Sequence, residues 1–146
     1  MLLGMFFRQR DHKLRIPLPP ELSAELGKNI VVTQSNDRCL LLFPLWEFKK
    51  LNNPLLKESL NDEEVRSRRR KVMSTSFQLK IDKQRRITLP SSLAGYASLC
   101  RGGQQQVVIL GMGPYLEIWN PVMLRRAKNK NTPLALSQAE EIAKKA

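Results

Sequence analysis

Asp82-Lys83-Gln84-Arg85-Arg86-Ile87-Thr88-Leu89-Pro90 decides how this chain is read, because Asp11-His12-Lys13-Leu14-Arg15-Ile16-Pro17-Leu18-Pro19 is an earlier copy of it. The offset is 82 − 11 = 71; it carries Asp, Arg, Ile, Leu and Pro onto like residues, and Leu22 onto Leu93. A period this long in 146 residues marks a duplicated supersecondary unit. In both copies basic residues stand beside an extended segment, a first pointer to a polyanionic partner.

Working outward, the residues around each copy follow one plan. Residues 2–10 read as a strand containing Phe6 and Phe7, Asp11 suits a turn, and Ile16 and Leu18 alternate in a second short strand. Pro17 there predicts an unpaired or irregular edge. Pro19-Pro20-Glu21 is a helix entry, Leu22 and Leu26 share one helix face, and Gly27 can close the helix. Residues 30–33 and 39–43 form a hairpin about Ser35-Asn36-Asp37, and Pro44 opens a short helix expected to carry Leu45, Phe48 and Leu51 inward. In the second unit Phe77, Leu79 and Ile81 precede the motif, and Leu93 and Ala97 face inward from a helix that Gly95 weakens by roughly 1 kcal/mol relative to alanine. A strand at 107–110 matches 30–33 at an offset of 107 − 30 = 77, so the second unit has gained 77 − 71 = 6 residues at the Gly102-Gly103 loop. Tyr115 to Trp119 returns, and Asn120-Pro121 caps a helix through Met123 and Leu124.

Between the units, Asn61-Asp62-Glu63-Glu64 looks like an N-cap followed by three acids, and Arg66, Arg68, Arg69, Arg70 and Lys71 crowd the helix that follows. The expected division is a first repeat at 1–49, a connecting helical segment at 50–74, a second repeat at 75–125 and a basic tail at 126–146. In that tail Ser137 carries an N-cap signal.

Lys plus Arg number 25 against 13 acids, a net charge of +12 that attracts polyanions. Both halves share it: 14 basic against 9 acidic residues in 1–73, and 11 against 4 in 74–146. Cys39 and Cys100 fit no CxxC spacing and read as two free, buried thiols in a reducing compartment. The apolar start, Met1 to Phe7, is cut short by Arg8 and Arg10, and no apolar run reaches the ~20 residues of a membrane span. A cytoplasmic, nucleoid-associated protein is expected.

His12 is the single histidine, which disfavours a metal cluster or a Ser-His-Asp arrangement. Gly111-Met112-Gly113 lacks the third glycine and following helix of a phosphate loop. Glu21 and Glu25 read as an exposed surface pair. The expectation is therefore no enzyme, no metal, no cofactor and no small-molecule substrate.

The positive case rests on Lys13, Arg15, Lys83, Arg85 and Arg86 as DNA-binding residues, with Arg8, Arg10 and Lys80 as flanking contacts to the DNA backbone. Lysine and arginine neutralise phosphates and release counterions; arginine also matches guanine O6 and N7 in the major groove. The plainer reading is that Asp11 pairs with Arg15, and Asp82 with Arg86, inside each turn. The two readings are compatible, since a pinned arginine leaves its neighbours free. Phe77, Tyr115 and Trp119 read as core rather than base-stacking residues.

Together, Gly4, the two D-x-x-x-R segments with Leu-Pro after them, Cys39 to Pro44, Val108 to Gly111 and Leu116 to Trp119 resemble the MraZ family, over residues 1 to about 125. That resemblance implies an α+β fold: a duplicated AbrB-like swapped-hairpin β-barrel with short peripheral helices, two pseudo-symmetric repeats in one chain. It implies ring-shaped homo-oligomers and a regulator that binds double-stranded DNA at direct repeats, generally repressing its own division and cell-wall gene cluster. By position, the family's DNA-facing motif falls on Lys13, Arg15 and Arg86; Lys83 and Arg85 are added from charge and placement.

Three departures matter. Leu14 and Arg85 stand where the family usually has glycine, so the turn either differs or carries the strain of a positive φ. Arg10 replaces an apolar residue, and the joining helix is more basic. Of the two turns the second keeps more charge, and if one turn dominates recognition the second is the one expected to. A non-catalytic, antitoxin-like interaction module of the same fold, using residues 127–146, is the alternative; an RNA-binding module ranks third for want of an exposed aromatic platform.

Overall fold

The structure, a computed structural model, describes residues 1–100, 102 and 105–130; Ser137 lies outside them. The first unit runs β1 (Met5–Gln9), β2 (Arg15–Pro17), α1 (Pro20–Leu26), β3 (Asn29–Gln34), β4 (Leu40–Pro44) and α2 (Leu45–Lys57). After α3 (Glu63–Ser74) come β5 (Ser76–Lys80), β6 (Arg86–Thr88), α4 (Ser91–Tyr96), β7 (Gln106–Gly111) and β8 (Leu116–Trp119). A fifth helix, α5, occupies 121–130. The expected boundaries at 49/50 and 125/126 fall inside α2 and α5.

The strands exchange between units. One antiparallel sheet has the order β1-β7-β8-β4-β3-β5, and β2 and β6 form a separate two-stranded ladder. Each unit's first strand thus pairs with the other unit's third strand. The registers obey a pseudo-twofold axis: Met5↔Leu110 and Gln9↔Gln106 in one half answer Ser76↔Thr33 and Lys80↔Asn29 in the other. The axis passes between Ile16 and Ile87, and between Leu41 and Glu117. Leu18 N–H donates to Arg85 O (2.8 Å) and Leu89 N–H to Leu14 O (2.9 Å). Because donors alternate along an antiparallel strand, Pro17 turns its nitrogen to the free edge of this ladder, as its sequence suggested.

This exchange gives the two units one core. Leu2, Ile16, Leu22, Ile30 and Leu42 of the first pack with Ile87, Leu93, Leu99, Ile109, Leu116 and Ile118 of the second. Neither unit can close its apolar face alone, so the duplication is a folding requirement as much as a repeat. A smaller cluster of Cys39, Val108, Trp119 and Leu124 lies beneath α5. Asn120 caps that helix, its Oδ1 accepting from the amides of Val122 (2.8 Å) and Met123 (3.3 Å).

Several expectations change. α2 runs past Pro54 to Lys57, and Leu51 is 61% exposed, while Asn52 is buried in its place with Nδ2 donating to Phe48 O. Asp62, not Asn61, caps α3, accepting from Glu64 and Val65 amides, which leaves two acids in the first turn. The cysteines are free, but only Cys39 is buried; Cys100 is exposed. Burial pushes the Cys39 thiol up to about 12, against the help of its contact with Ser35 Oγ. Among the described residues no helix is long and apolar enough to cross a membrane.

Candidate nucleic-acid interface

Each motif copy folds into the same aspartate-centred turn. In the first, Asp11 Oδ1 accepts from the amides of Lys13 and Arg15, both 2.9 Å, and Asp11 Oδ2 accepts from Arg15 Nε at 2.5 Å. In the second, Asp82 Oδ1 accepts from Gln84 and Arg86 amides, both 2.8 Å, and Oδ2 from Arg86 Nε at 3.0 Å. The backbone closes identically: Asp11 N–H to Arg15 O and Leu14 N–H to Asp11 O, then Asp82 N–H to Arg86 O and Arg85 N–H to Asp82 O. A carboxylate satisfying two amides and a guanidinium is a strong local clamp.

The carboxylates respond accordingly. Partial desolvation pushes Asp11 up, but the Arg15 amide, the Arg15 guanidinium and the Lys13 amide outweigh it and bring the carboxyl down to about 2. Asp82 is also held below its ordinary range, first by the Arg86 amide, against desolvation and with help from the Arg86 guanidinium and Gln84 amide. Asp11 and Asp82 pair with Arg15 and Arg86 as the plainer reading expected.

These clamps force the residue before each arginine into the left-handed region: Leu14 at φ 61° and Arg85 at φ 60°. The turn does not change shape to suit a side chain; both residues accept the strain, roughly 1–2 kcal/mol for an L-residue. β2 and β6 then set the two turns on either side of the pseudo-twofold axis, with Arg15↔Thr88 and Pro17↔Arg86 in register.

The site residues separate on inspection. Lys13, Lys83, Arg85 and Lys80 are exposed, while Arg15 and Arg86 are half-buried, each with Nε committed to its aspartate. Arg8 lies along its own strand, donating to Phe7 O with its guanidinium 5.8 Å from the Phe6 ring centre. Arg10 is not available to a phosphate. It is 4% exposed and points inward beside the first turn, donating to Asp11 O and Cys100 O. Its counterpart is Ile81, so the departure from an apolar residue is absorbed as a structural hydrogen-bond donor.

The basic helix α3 stands apart from the turns. It enters β5 at Ser76, opposite Thr33, whereas turn 2 leaves β5 beyond Lys80, opposite Asn29. Roughly 14 Å of strand separates the two ends. Arg66 also donates to Leu60 O and Arg68 pairs with Glu58, so part of the helix's charge is used locally. The aromatic residues behave as core: Trp119 is 4% exposed with its indole N–H on Glu117, Phe77 packs on the main core, and Tyr115 lies 5.0 Å from the Phe43 ring.

Sequence reasoning missed Lys28. Ile81 N–H donates to Lys28 O at 2.9 Å, which sets this lysine of the first unit against the second unit's turn. No linear spacing signals that contact, because it exists only through strand exchange.

Two interlocked units sharing one core, each presenting an aspartate-pinned basic turn, define a duplicated swapped-hairpin protein of the AbrB-like class. Comparison with known proteins narrows this: the family described as "MraZ protein, putative antitoxin-like" matches the chain twice, at residues 1–71 and 72–144. The chain belongs to the MraZ family. It is 34% identical to the transcriptional regulator MraZ of Halothermothrix orenii over 120 residues, 82% of this chain and 81% of the relative. It is 35% identical to the protein of that name from Natranaerobius thermophilus, with the same coverage. A third, from Kocuria rhizophila, is 32% identical over 141 residues, 97% of this chain and 95% of that protein.

Proposed function

We propose that this chain is a sequence-specific DNA-binding transcriptional regulator that reads repeated sites in duplex DNA through its two basic turns. The observation that carries the reading is the pair of equivalent turns set side by side by β2 and β6, with Lys13, Lys83 and Arg85 exposed at them. Arg15 and Arg86 hold each turn through Nε and leave the rest of the guanidinium to face a groove. The name carried by the relatives supports the same role, and it is a regulator's name, not an enzyme's. The target is direct repeats upstream of its own division and cell-wall gene cluster, and the effect is repression on the nucleoid.

Self-association accompanies this role. Met5 and Phe7 on β1 are 42% and 55% exposed, Leu3 just before it is 60% exposed, and among the described residues the outer side of this edge strand has no partner in the sheet. An apolar row on an open edge favours pairing with another copy, and a ring gives repeated sites a repeated reader. Light scattering of Phe7→Lys should show smaller assemblies than wild type; an unchanged mass removes this edge from the interface.

A footprint on the chain's own upstream DNA tests the main reading. Protected repeats spaced about one helical turn, ~10 base pairs, are expected. Arg15→Ala combined with Arg86→Ala should abolish the preference for that DNA over random duplex while the protein stays folded. A double variant that binds the repeats as well as wild type would falsify the reading.

A further inference from the structure

Beside the second turn lies a cleft of about 680 Å³ between that turn and α1 of the other unit. Its walls carry Lys28, Lys80, Lys83 and Arg85, and its one acid is Asp82. That carboxylate is already committed to Arg86 and two backbone amides. All four cations are exposed, and among the described residues none of their side chains has an ion-pair or hydrogen-bond partner. Four unpaired positive charges sharing a concavity repel one another, and an anion entering between them relieves that repulsion.

The fold does not demand this arrangement. The pseudo-twofold axis supplies an equivalent place at the first turn, where Arg10 N–H donates to Gln105 O at 2.8 Å as Ile81 N–H donates to Lys28 O. There Gln105 stands for Lys28, Gln9 for Lys80, His12 for Lys83 and Leu14 for Arg85. Leu14 is buried, and Arg10 turns inward to Cys100 O. One cleft is lined with four exposed cations; among the described residues its twin has Gln9, His12 and Gln105 in the places of three of them, and a buried leucine in the place of the fourth.

We propose that this cleft holds one backbone phosphate of duplex DNA, with Lys28 reaching it from the first unit while Lys80, Lys83 and Arg85 reach it from the second. The proposal rests on the DNA-binding reading above and adds an inequality to it. A turn that enters a groove brings the flanking sugar–phosphate chain against its shoulders, and here the second turn's shoulder carries four exposed cations drawn from both units. The second turn therefore supplies most of the affinity, and Lys28 adds to it without reading sequence.

Lys28→Gln is the variant to make, since the lysine contributes only its backbone carbonyl to the ladder. Binding of the full chain to repeat-containing and to random duplex is measured across a potassium chloride series. The expected loss is about 5- to 10-fold on both duplexes near ~0.1 M salt, with the log–log salt slope reduced by about 1. A methylphosphonate placed at successive backbone positions should reveal one site where wild type and Lys28→Gln bind alike. Unchanged affinity and slope for Lys28→Gln overturn the cleft; the DNA reading survives that result if Arg15→Ala with Arg86→Ala still destroys sequence preference. Should the double variant also bind as wild type, the reading fails and the cleft fails with it. Inorganic phosphate at matched ionic strength should displace DNA no better than chloride does. Lys28-dependent displacement by phosphate would make the cleft a site for a free anion and overturn its assignment to the DNA backbone.

Discussion

The first and second turns share a backbone and differ in what they do with it. Both centre on an aspartate that takes two amides and a guanidinium, and both drive the fourth residue to φ near +60°. In the first, that residue is Leu14, 3% exposed and part of the main core. In the second it is Arg85, exposed on the wall of a cationic cleft. Burying a leucine side chain contributes about 1.5–3 kcal/mol, which offsets left-handed strain of ~1–2 kcal/mol. Arg85 has no such burial to set against the same strain. A residue that keeps a costly conformation without packing in return points to a role outside the fold. The first turn is anchored into the core; the second leaves its side chain exposed.

The largest break in this comparison should come at the residue before each aspartate. Arg10→Ala removes buried donors from Asp11 O and Cys100 O and leaves a hole beside the first turn, and a loss of about 3 kcal/mol in chemical denaturation is expected. Ile81→Ala, at the half-buried equivalent, should cost about 1–2 kcal/mol. Arg10→Ala should also leave the salt dependence of DNA binding unchanged, whereas Lys80→Ala should flatten it.

Glycine at the strained position gives opposite signs in the two turns. Arg85→Gly relieves the left-handed strain of an exposed residue and should stabilise the protein by about 1 kcal/mol while weakening DNA binding. Leu14→Gly relieves the same strain but removes a buried side chain, and a net loss of about 1–3 kcal/mol should follow. Denaturation midpoints that move in the same direction would show that both side chains serve the core, or that neither does.

The smallest difference is in acid. Asp11 and Asp82 have folded-state pKa values below the ordinary 3.8, Asp11 at about 2. A depressed carboxylate stabilises the native state above its unfolded pKa, and that contribution fades as pH falls through the folded value. Both turns should thus keep their clamps down to about pH 4, and the first should lose its clamp between there and about pH 2. Carboxyl titration by NMR would check this; a midpoint for Asp11 at or above 3.8 would remove the clamp from the account.

Much of the fold was legible along the chain. The 71-residue offset, the helix entry at Pro20, the two hairpins and the Asn120 cap all rest on local chemistry, and each appears where its residues predicted it. The pairing of Asp11 with Arg15 and of Asp82 with Arg86 was legible for the same reason, since the partners lie four residues apart. Residues whose fate depends on distant neighbours were misread. Leu51 has the right periodicity to be buried, yet α2 turns Asn52 inward instead. Arg10 looked like one more surface cation until Cys100, distant in sequence, supplied a carbonyl partner. Cys100 looked apolar enough to be buried and is exposed.

By itself, then, the sequence determined that there are two units, that each carries a basic turn pinned by its own aspartate, and that the second turn is the more charged. Hydrogen bonds spanning two to four residues decide such features, and those bonds form wherever the residues occur. Only the tertiary structure decided which charges face outward together. Exchange of first strands between the units set Lys28 against Ile81, brought four cations from two units around one cleft, and left its pseudo-symmetric twin to Gln105, His12 and a buried leucine. The reason is physical: long-range ladder register, not local propensity, fixes which side chains from distant segments share a surface.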